Sequence, residues 1–220
     1  MAEPRVAMLG GTFDPVHIGH LRSAVELCEA LALDRVHLVV NRQPPHRATP
    51  GVSARDRLAM VAAGASDTPG LVVDDREIER DGPSYSLATL ESLRAEYGEE
   101  ARLVMAIGMD AFRHLAEWYR PEALFEQAHV VVIERPGASF TPSAALAALI
   151  EPRRCDSIES LMAKPHGGFL HLPLPNPIKV SATELRERID SGRSIRFLVP
   201  EAVERLIVQR GLYRHGGAGR

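Results

Sequence analysis

Val6-Ala7-Met8-Leu9 is a short apolar run that ends on Gly10-Gly11-Thr12-Phe13-Asp14-Pro15-Val16-His17-Ile18-Gly19-His20, after which Leu21, Ala24, Val25, Cys28 and Leu31 recur at helical spacing. That succession specifies a strand, a glycine turn and a helix. The turn falls where an α/β unit offers free backbone N–H groups and the positive end of a helix, both suited to phosphate. It is not a P-loop, since no Gly-Lys-Ser/Thr follows, and it lacks the 1-3-6 glycine spacing of the dinucleotide fingerprint. Its distinctive feature is His17 and His20, three apart with Gly19 between them, so both rings can face one bound group at the helix entrance. Imidazoles hydrogen-bond phosphate oxygens and, when protonated, offset extra negative charge. A metal pair is the other use of His-x-x-His, but no neighbouring Cys or acidic set completes a ligand shell, so no protein-built metal site is expected.

The same alternation continues outward. Val36 to Val40 is a second strand, followed by a loop with Pro44, Pro45 and Pro50, and by a helix opened by Ser53 and Asp56 that carries Leu58, Val61, Ala62 and Ala65. Leu71 to Val73, a helix from Ser86 through Leu90 and Leu93, Leu103 to Ile107, and Val130 to Ile133 repeat the theme. Such alternation predicts an α/β fold, a doubly wound parallel sheet with helices on both faces. Ligands then sit beyond the carboxyl ends of the strands, where the strand order reverses. From Arg135-Pro136-Gly137 to Lys179 the pattern weakens, and an irregular connection or insertion is expected. Helices return at Ser181 to Ile189, closed by Gly192, and at Pro200 to Val208, closed by Gly211. One domain over residues 1–213 is expected, with 181–213 its helical C-terminal part and a Gly-rich tail at 214–220 that frays.

The 220 residues are 45% hydrophobic, 5% aromatic and 25% charged, a balance that points to an ordinary globular chain rather than a disordered or fibrous one. No apolar run approaches the ~20 residues of a membrane span and no signal segment opens the chain, so a cytoplasmic location without membrane contact is expected. Cys28 and Cys155 are too few for a disulfide framework. The net charge of −3 gives no field to recruit nucleic acid, so anionic ligands must be held by local charge. Only Lys164 and Lys179 are lysines among 26 basic residues, which makes an arginine the default cation here.

Taken whole, the Gly10–His20 string resembles the opening motif of the His-x-Gly-His nucleotidyltransferase superfamily, and within it that of the bacterial nicotinate-nucleotide adenylyltransferases. Further matches are Pro44-Pro45-His46-Arg47, Pro83-Ser84-Tyr85-Ser86, Ile107-Gly108-Met109-Asp110, Trp118, Glu134-Arg135-Pro136-Gly137 and Val180-Ser181-Ala182-Thr183-Glu184-Leu185-Arg186. The resemblance covers nearly the whole chain and is weakest over 138–178. It implies a Rossmann-like nucleotidyltransferase fold and adenylyl transfer from Mg²⁺-ATP to nicotinate mononucleotide, with Mg²⁺ arriving on ATP and the protein acting as a monomer or homodimer.

By the same resemblance, ATP is held by Gly10, Gly11, Thr12, Phe13, His17, His20, Gly108, Asp110, Arg135, Ser181, Thr183 and Arg186, and the acceptor nucleotide by Gly11, Thr12, Arg47, Tyr85, Ser86 and Trp118. His17, His20 and Arg186 carry the catalytic charge. Arg47 stands where the family often has Lys; Ser86 keeps the hydroxyl of a usual Thr, and Ala88 replaces a common Asp. Local chemistry gives plainer uses for several of these residues. Ser181-Ala182-Thr183-Glu184 is a capping box in its own right, Asp110 is a candidate helix cap, and Trp118 is a candidate core residue. Rival readings are a phosphopantetheine or nicotinamide-mononucleotide adenylyltransferase, or a nucleotide-binding module without catalysis.

Overall fold

The computed structural model describes residues 3–42, 51–134 and 141–214. The expected alternation is realised as β1 (Arg5–Gly11), α1 (Ile18–Ala30), β2 (Arg35–Val40), α2 (Ala54–Ala65), β3 (Leu71–Asp74), α3 (Arg76–Glu79), α4 (Ser86–Tyr97), β4 (Arg102–Gly108), α5 (Met109–Phe112), α6 (Pro121–Gln127) and β5 (His129–Glu134). After these come α7 (Ala144–Ile150), α8 (Ile158–Met162), β6 (Phe169–Pro173), α9 (Ala182–Asp190) and α10 (Glu201–Arg210). The strands form one parallel sheet in the order β3-β2-β1-β4-β5-β6. The order reverses between β1 and β4, which places the expected crevice beyond Gly10, Gly11 and Gly108.

The apolar runs of the sequence are buried on both faces, and the pleat divides them between two cores. Ala7 and Leu9 of β1, Val104 and Ala106 of β4, and Val131 of β5 pack with α1, α2, α9 and α10 on one side. Val6 and Met8, Leu103 and Met105, and Val130 and Val132 pack with α4, α6 and α7 on the other. Ser53 caps α2 by accepting from the Asp56 N–H at 3.1 Å, and the Asp56 carboxylate takes Arg210 of α10 at 2.6 Å, fastening the C-terminal helix to the front half of the sheet.

The stretch from Arg135 to Lys179, expected as an irregular connection or insertion, is more regular than that over its described residues. Described residues of this stretch form α7, capped by the Ser143 hydroxyl, then α8, and then β6, which pairs with β5 from Val130↔Phe169 to Glu134↔Pro173. β6 escapes a search for continuous apolar runs because it is an edge strand with only Phe169, Leu170 and Leu172 buried, while His171 and Pro173 face out. Cys28 and Cys155 are free thiols, and burial raises the Cys28 thiol above its ordinary range. Among the described residues no helix is long and apolar enough to cross a membrane.

The return to β6 is pinned by a buried histidine. His129, 1% exposed, accepts the Gly168 N–H at Nδ1 (2.9 Å) and donates from Nε2 to the Lys164 carbonyl (2.9 Å), which fixes its neutral tautomer. Burial lowers its pKa from 6.5 to about 4, with the Lys164 carbonyl opposing and His166, Arg94 and Arg102 adding to the drop. The unfolded chain therefore binds this proton first as the medium acidifies. The contribution of His129 to stability is intact above pH 6.5, falls through the window between 6.5 and about 4, and changes little below it. Denaturant unfolding at pH 7, 5 and 4 is expected to show His129→Gln losing about 3 kcal/mol less across that window than the native chain. Parallel pH profiles for the two proteins would contradict this.

Candidate active site

The turn after β1 is shaped by its own side chains. Phe13 takes a left-handed φ of 50°, costly for a non-glycine residue. It is held there because its ring lies over Gly11, where a Cβ would come within 2.9 Å of the ring, and meets the edge of His20 at 5.1 Å between centroids. His17 is the N-cap of α1, its Nδ1 accepting the His20 N–H at 3.3 Å, so a neutral His17 carries its proton on Nε2. The His17 and His20 rings stack at 3.6 Å and 19°. Gly19 is required between them: a Cβ there would stand 3.0 Å from both His17 Nδ1 and the Ile178 carbonyl.

The Ile178 contact brings the second helix entrance beside the first. Asn176 donates from its N–H to the buried Glu26 of α1 at 3.2 Å, and three residues beyond Ile178 the Ser181 hydroxyl caps α9 by accepting from Glu184 N–H. The Glu184 carboxylate turns instead to Arg188 at 4.0 Å, so the expected capping box is formed by its serine half. Arg186 joins the two entrances outright: it donates to the Asp14 carbonyl at 2.7 Å and to Thr183 Oγ1 at 3.2 Å. The Asp14 carboxylate in turn accepts the Tyr213 hydroxyl at 2.8 Å, tying the end of the described chain to the turn. Burial, and next the Asp14 carboxylate, push the Tyr213 phenol up, so it remains a donor.

On the other side of the turn lies a cavity of about 520 Å³ between the ends of β1 and β4. Gly10, Gly11, Thr12, Tyr85, Ser86, Gly108, Asp110 and Trp118 all line it, so eight residues singled out in the sequence converge there. Gly108, not Asp110, is the N-cap of α5; Asp110 is exposed in the first turn, free of capping duty and facing the cavity. Trp118 is half-buried, packed against the second core on one side and lining the cavity on the other. His17, His20, Phe13, Ser181, Thr183 and Arg186 are not part of this lining and stand at or beside the two helix entrances. Arg47 and Arg135 lie outside the described residues. Among the described residues no three His, Cys, Asp or Glu side chains gather as a metal cage.

Of the cavity residues that the sequence did not mark, three bear on its chemistry. Tyr119 stacks on Tyr85 at 4.8 Å and 24°, extending the aromatic wall of Trp118. Asn41 continues β2 into the cavity. Glu77, 3% exposed, accepts the Thr89 hydroxyl at 2.7 Å, and burial raises its carboxyl above the usual range against the pull of Thr89, Ser84 and Arg80. The adjacency of Tyr119 to Trp118 was a usable signal; nothing local marks the other two.

A family model described as cytidylyltransferase-like matches residues 8–188, and the chain belongs to that family. A protein of Chromohalobacter salexigens named "Probable nicotinate-nucleotide adenylyltransferase" is 62% identical over 209 residues, 95% of each chain. One of the same name from Pseudomonas aeruginosa PAO1 is 48% identical over 210 residues, covering 96% of this chain and 97% of that one. Within the family, the chain groups with the nicotinate-nucleotide adenylyltransferases. The solved structure of Plasmodium falciparum nicotinic acid mononucleotide adenylyltransferase complexed with NaAD is similar at a TM-score of 0.70 and 14% identity, covering 96% of this chain and 98% of that one; at that identity the likeness establishes the shared fold.

Proposed function

We propose that the chain transfers the adenylyl group of Mg²⁺-ATP to the phosphate of nicotinate mononucleotide, forming deamido-NAD and pyrophosphate. The observation that carries this reading is the joining, by one turn from Gly10 to Asp14, of two phosphate-suited helix entrances to a cavity walled by Tyr85, Trp118 and Tyr119. A mononucleotide phosphate is largely dianionic at neutral pH and attacks the α-phosphorus without a general base. One acceptor oxygen bonds to the α-phosphorus while the bond to the bridging oxygen breaks, and that electron pair leaves with pyrophosphate. The protein has only to align the groups and offset charge.

In this reading His20 faces the charge that develops on the α-phosphate, with His17 beside it. Ser181, Thr183 and Arg186 at the entrance of α9 hold the leaving phosphates, with Arg135 added from the resemblance. Gly108 and Asp110 receive the adenosine ribose. Trp118 stacks on the pyridinium, gaining from contact between its π face and the positive ring. Tyr85 and Ser86 at the start of α4 receive the nicotinate carboxylate, and Arg47 the acceptor phosphate. Magnesium belongs to the substrate and keeps most of its water.

The test is pyrophosphate release from Mg²⁺-ATP with nicotinate mononucleotide, nicotinamide mononucleotide or phosphopantetheine offered separately. Turnover with the nicotinate nucleotide at least about tenfold above the others is expected, since a site built to pair a carboxylate rejects a ligand that lacks it. Preference for the amide would overturn the assignment of Tyr85 and Ser86. ATP binding with no release for any acceptor would overturn the reaction.

A further inference from the structure

Arg57 on α2 is 1% exposed, yet among the described residues no carboxylate forms an ion pair with it, and its hydrogen bonds go to main-chain carbonyls. One terminal nitrogen donates to Thr12 O at 2.7 Å, and the other to Asn41 O at 2.7 Å and Arg42 O at 3.2 Å. Its Nε–H, also buried, meets no acceptor among the described residues. These carbonyls belong to the two segments that leave the sheet side by side. The last rung between β1 and β2 among the described residues is the Asn41 N–H to Gly11 O bond at 3.1 Å, and beyond it no ladder joins the described parts of the two segments. Arg57 supplies the missing link.

A planar trans peptide points its N–H opposite to its C=O. Drawing Asn41 O inward onto Arg57 therefore turns the Arg42 N–H the other way, where it donates to Ser84 Oγ at 3.0 Å. Ser84 directly precedes Tyr85 and Ser86. The Arg42 side chain reinforces the same link, donating to Arg80 O at 2.8 Å and Asp81 at 3.2 Å. By the same geometry, drawing Thr12 O inward turns the Phe13 N–H away from Arg57. One buried guanidinium thus sets three segments relative to one another: the turn after β1, the stem after β2 and the segment that opens α4.

We propose that Arg57 is the positioning residue for acceptor selection: without touching substrate, it fixes through the Asn41–Arg42 peptide and Ser84 where Tyr85 and Ser86 stand relative to Thr12, and so how strictly the acid nucleotide is preferred over the amide. This rests on the adenylyl-transfer reading above and adds to it a residue that determines specificity from below the cavity.

The experiment compares the native chain with Arg57→Lys and Ser84→Ala, measuring kcat and KM for nicotinate and nicotinamide mononucleotides, KM for ATP, and thermal unfolding. An ammonium keeps the charge but lacks the fork that spans three carbonyls. For Arg57→Lys, kcat/KM with the acid nucleotide is expected to fall about 30- to 100-fold, mostly through KM, and the acid-to-amide ratio about tenfold, with KM for ATP within about threefold of native. Ser84→Ala, which cuts the far end of the link together with the Ser84 hydrogen bond to Glu77 and leaves the buried cation in place, is expected to lower the ratio in the same direction by about threefold. Equal losses for both acceptors in Arg57→Lys, or a Ser84→Ala enzyme with the native ratio, overturn the proposal; if Arg57→Lys fails to fold, Ser84→Ala decides alone. Native turnover is measured first: its absence overturns the adenylyl-transfer reading itself, whereas an active native enzyme with equally selective variants overturns only the role of Arg57.

Discussion

Replacing His20 by alanine is expected to lower kcat by about two to four powers of ten while leaving both KM values within a few-fold of native, the signature of an interaction made mainly in the transition state. The ring is held by two aromatic contacts: His17 stacks on one of its faces at 3.6 Å, and Phe13 meets it in a T-shaped arrangement at 5.1 Å between centroids. Nothing has to reorganise when charge builds on the phosphate, which is what makes a fixed donor effective. His20 is half-buried at the start of α1 and its ring meets the first core at Phe13, so the thermal transition should move by no more than a few degrees. Stopped assays of pyrophosphate release set beside thermal unfolding separate the two effects. A native kcat would remove His20 from the reaction, and a kcat loss matched by collapse of the fold would make its role structural.

What could be read from the sequence, and what could not, divides along physical lines. Val36 to Val40 and Leu103 to Ile107 are recognisable because parallel strands buried on both faces become near-continuous apolar runs, broken in β2 only by His37, which is buried against Asp74 and Tyr97. β6 breaks that rule because an edge strand needs burial only on part of its surface, and His171 and Pro173 occupy the rest. The motif from Gly10 to His20 is legible because one turn carries all of its chemistry, and Gly19 shows why the spacing is strict: a side chain there meets His17 and Ile178 at once. Arg57 leaves no trace. In a chain with 24 arginines, one following a Ser53 cap looks like an exposed helix charge, and its partners are carbonyls that every residue owns. Glu77 is hidden for the same reason, since only the fold reveals that Thr89 and the cavity surround it.

Arg186→Leu is expected to cut kcat/KM for ATP by about two to three powers of ten and to weaken inhibition by pyrophosphate by a similar factor, because the same group would face the leaving phosphates before and after transfer. The guanidinium is pre-set from both sides, by the Asp14 carbonyl at 2.7 Å and by Thr183 at 3.2 Å, with the Asp14 carboxylate 3.8 Å away. Arg186→Lys should recover only part of the loss, since one ammonium cannot hold the Asp14 carbonyl and a phosphate in the fork geometry. The Asp14 carboxylate is itself held by the Tyr213 hydroxyl at 2.8 Å. Removing that hydroxyl in Tyr213→Phe frees the carboxylate to draw Arg186 toward itself and away from ATP, an effect expected at about three- to tenfold on KM for ATP. If Tyr213 acts through Arg186, the double variant will be no worse than Arg186→Leu alone, a non-additivity that a double-mutant cycle reads directly. Additive losses would separate the two residues, and native pyrophosphate inhibition in Arg186→Leu would take the entrance of α9 out of phosphate binding altogether.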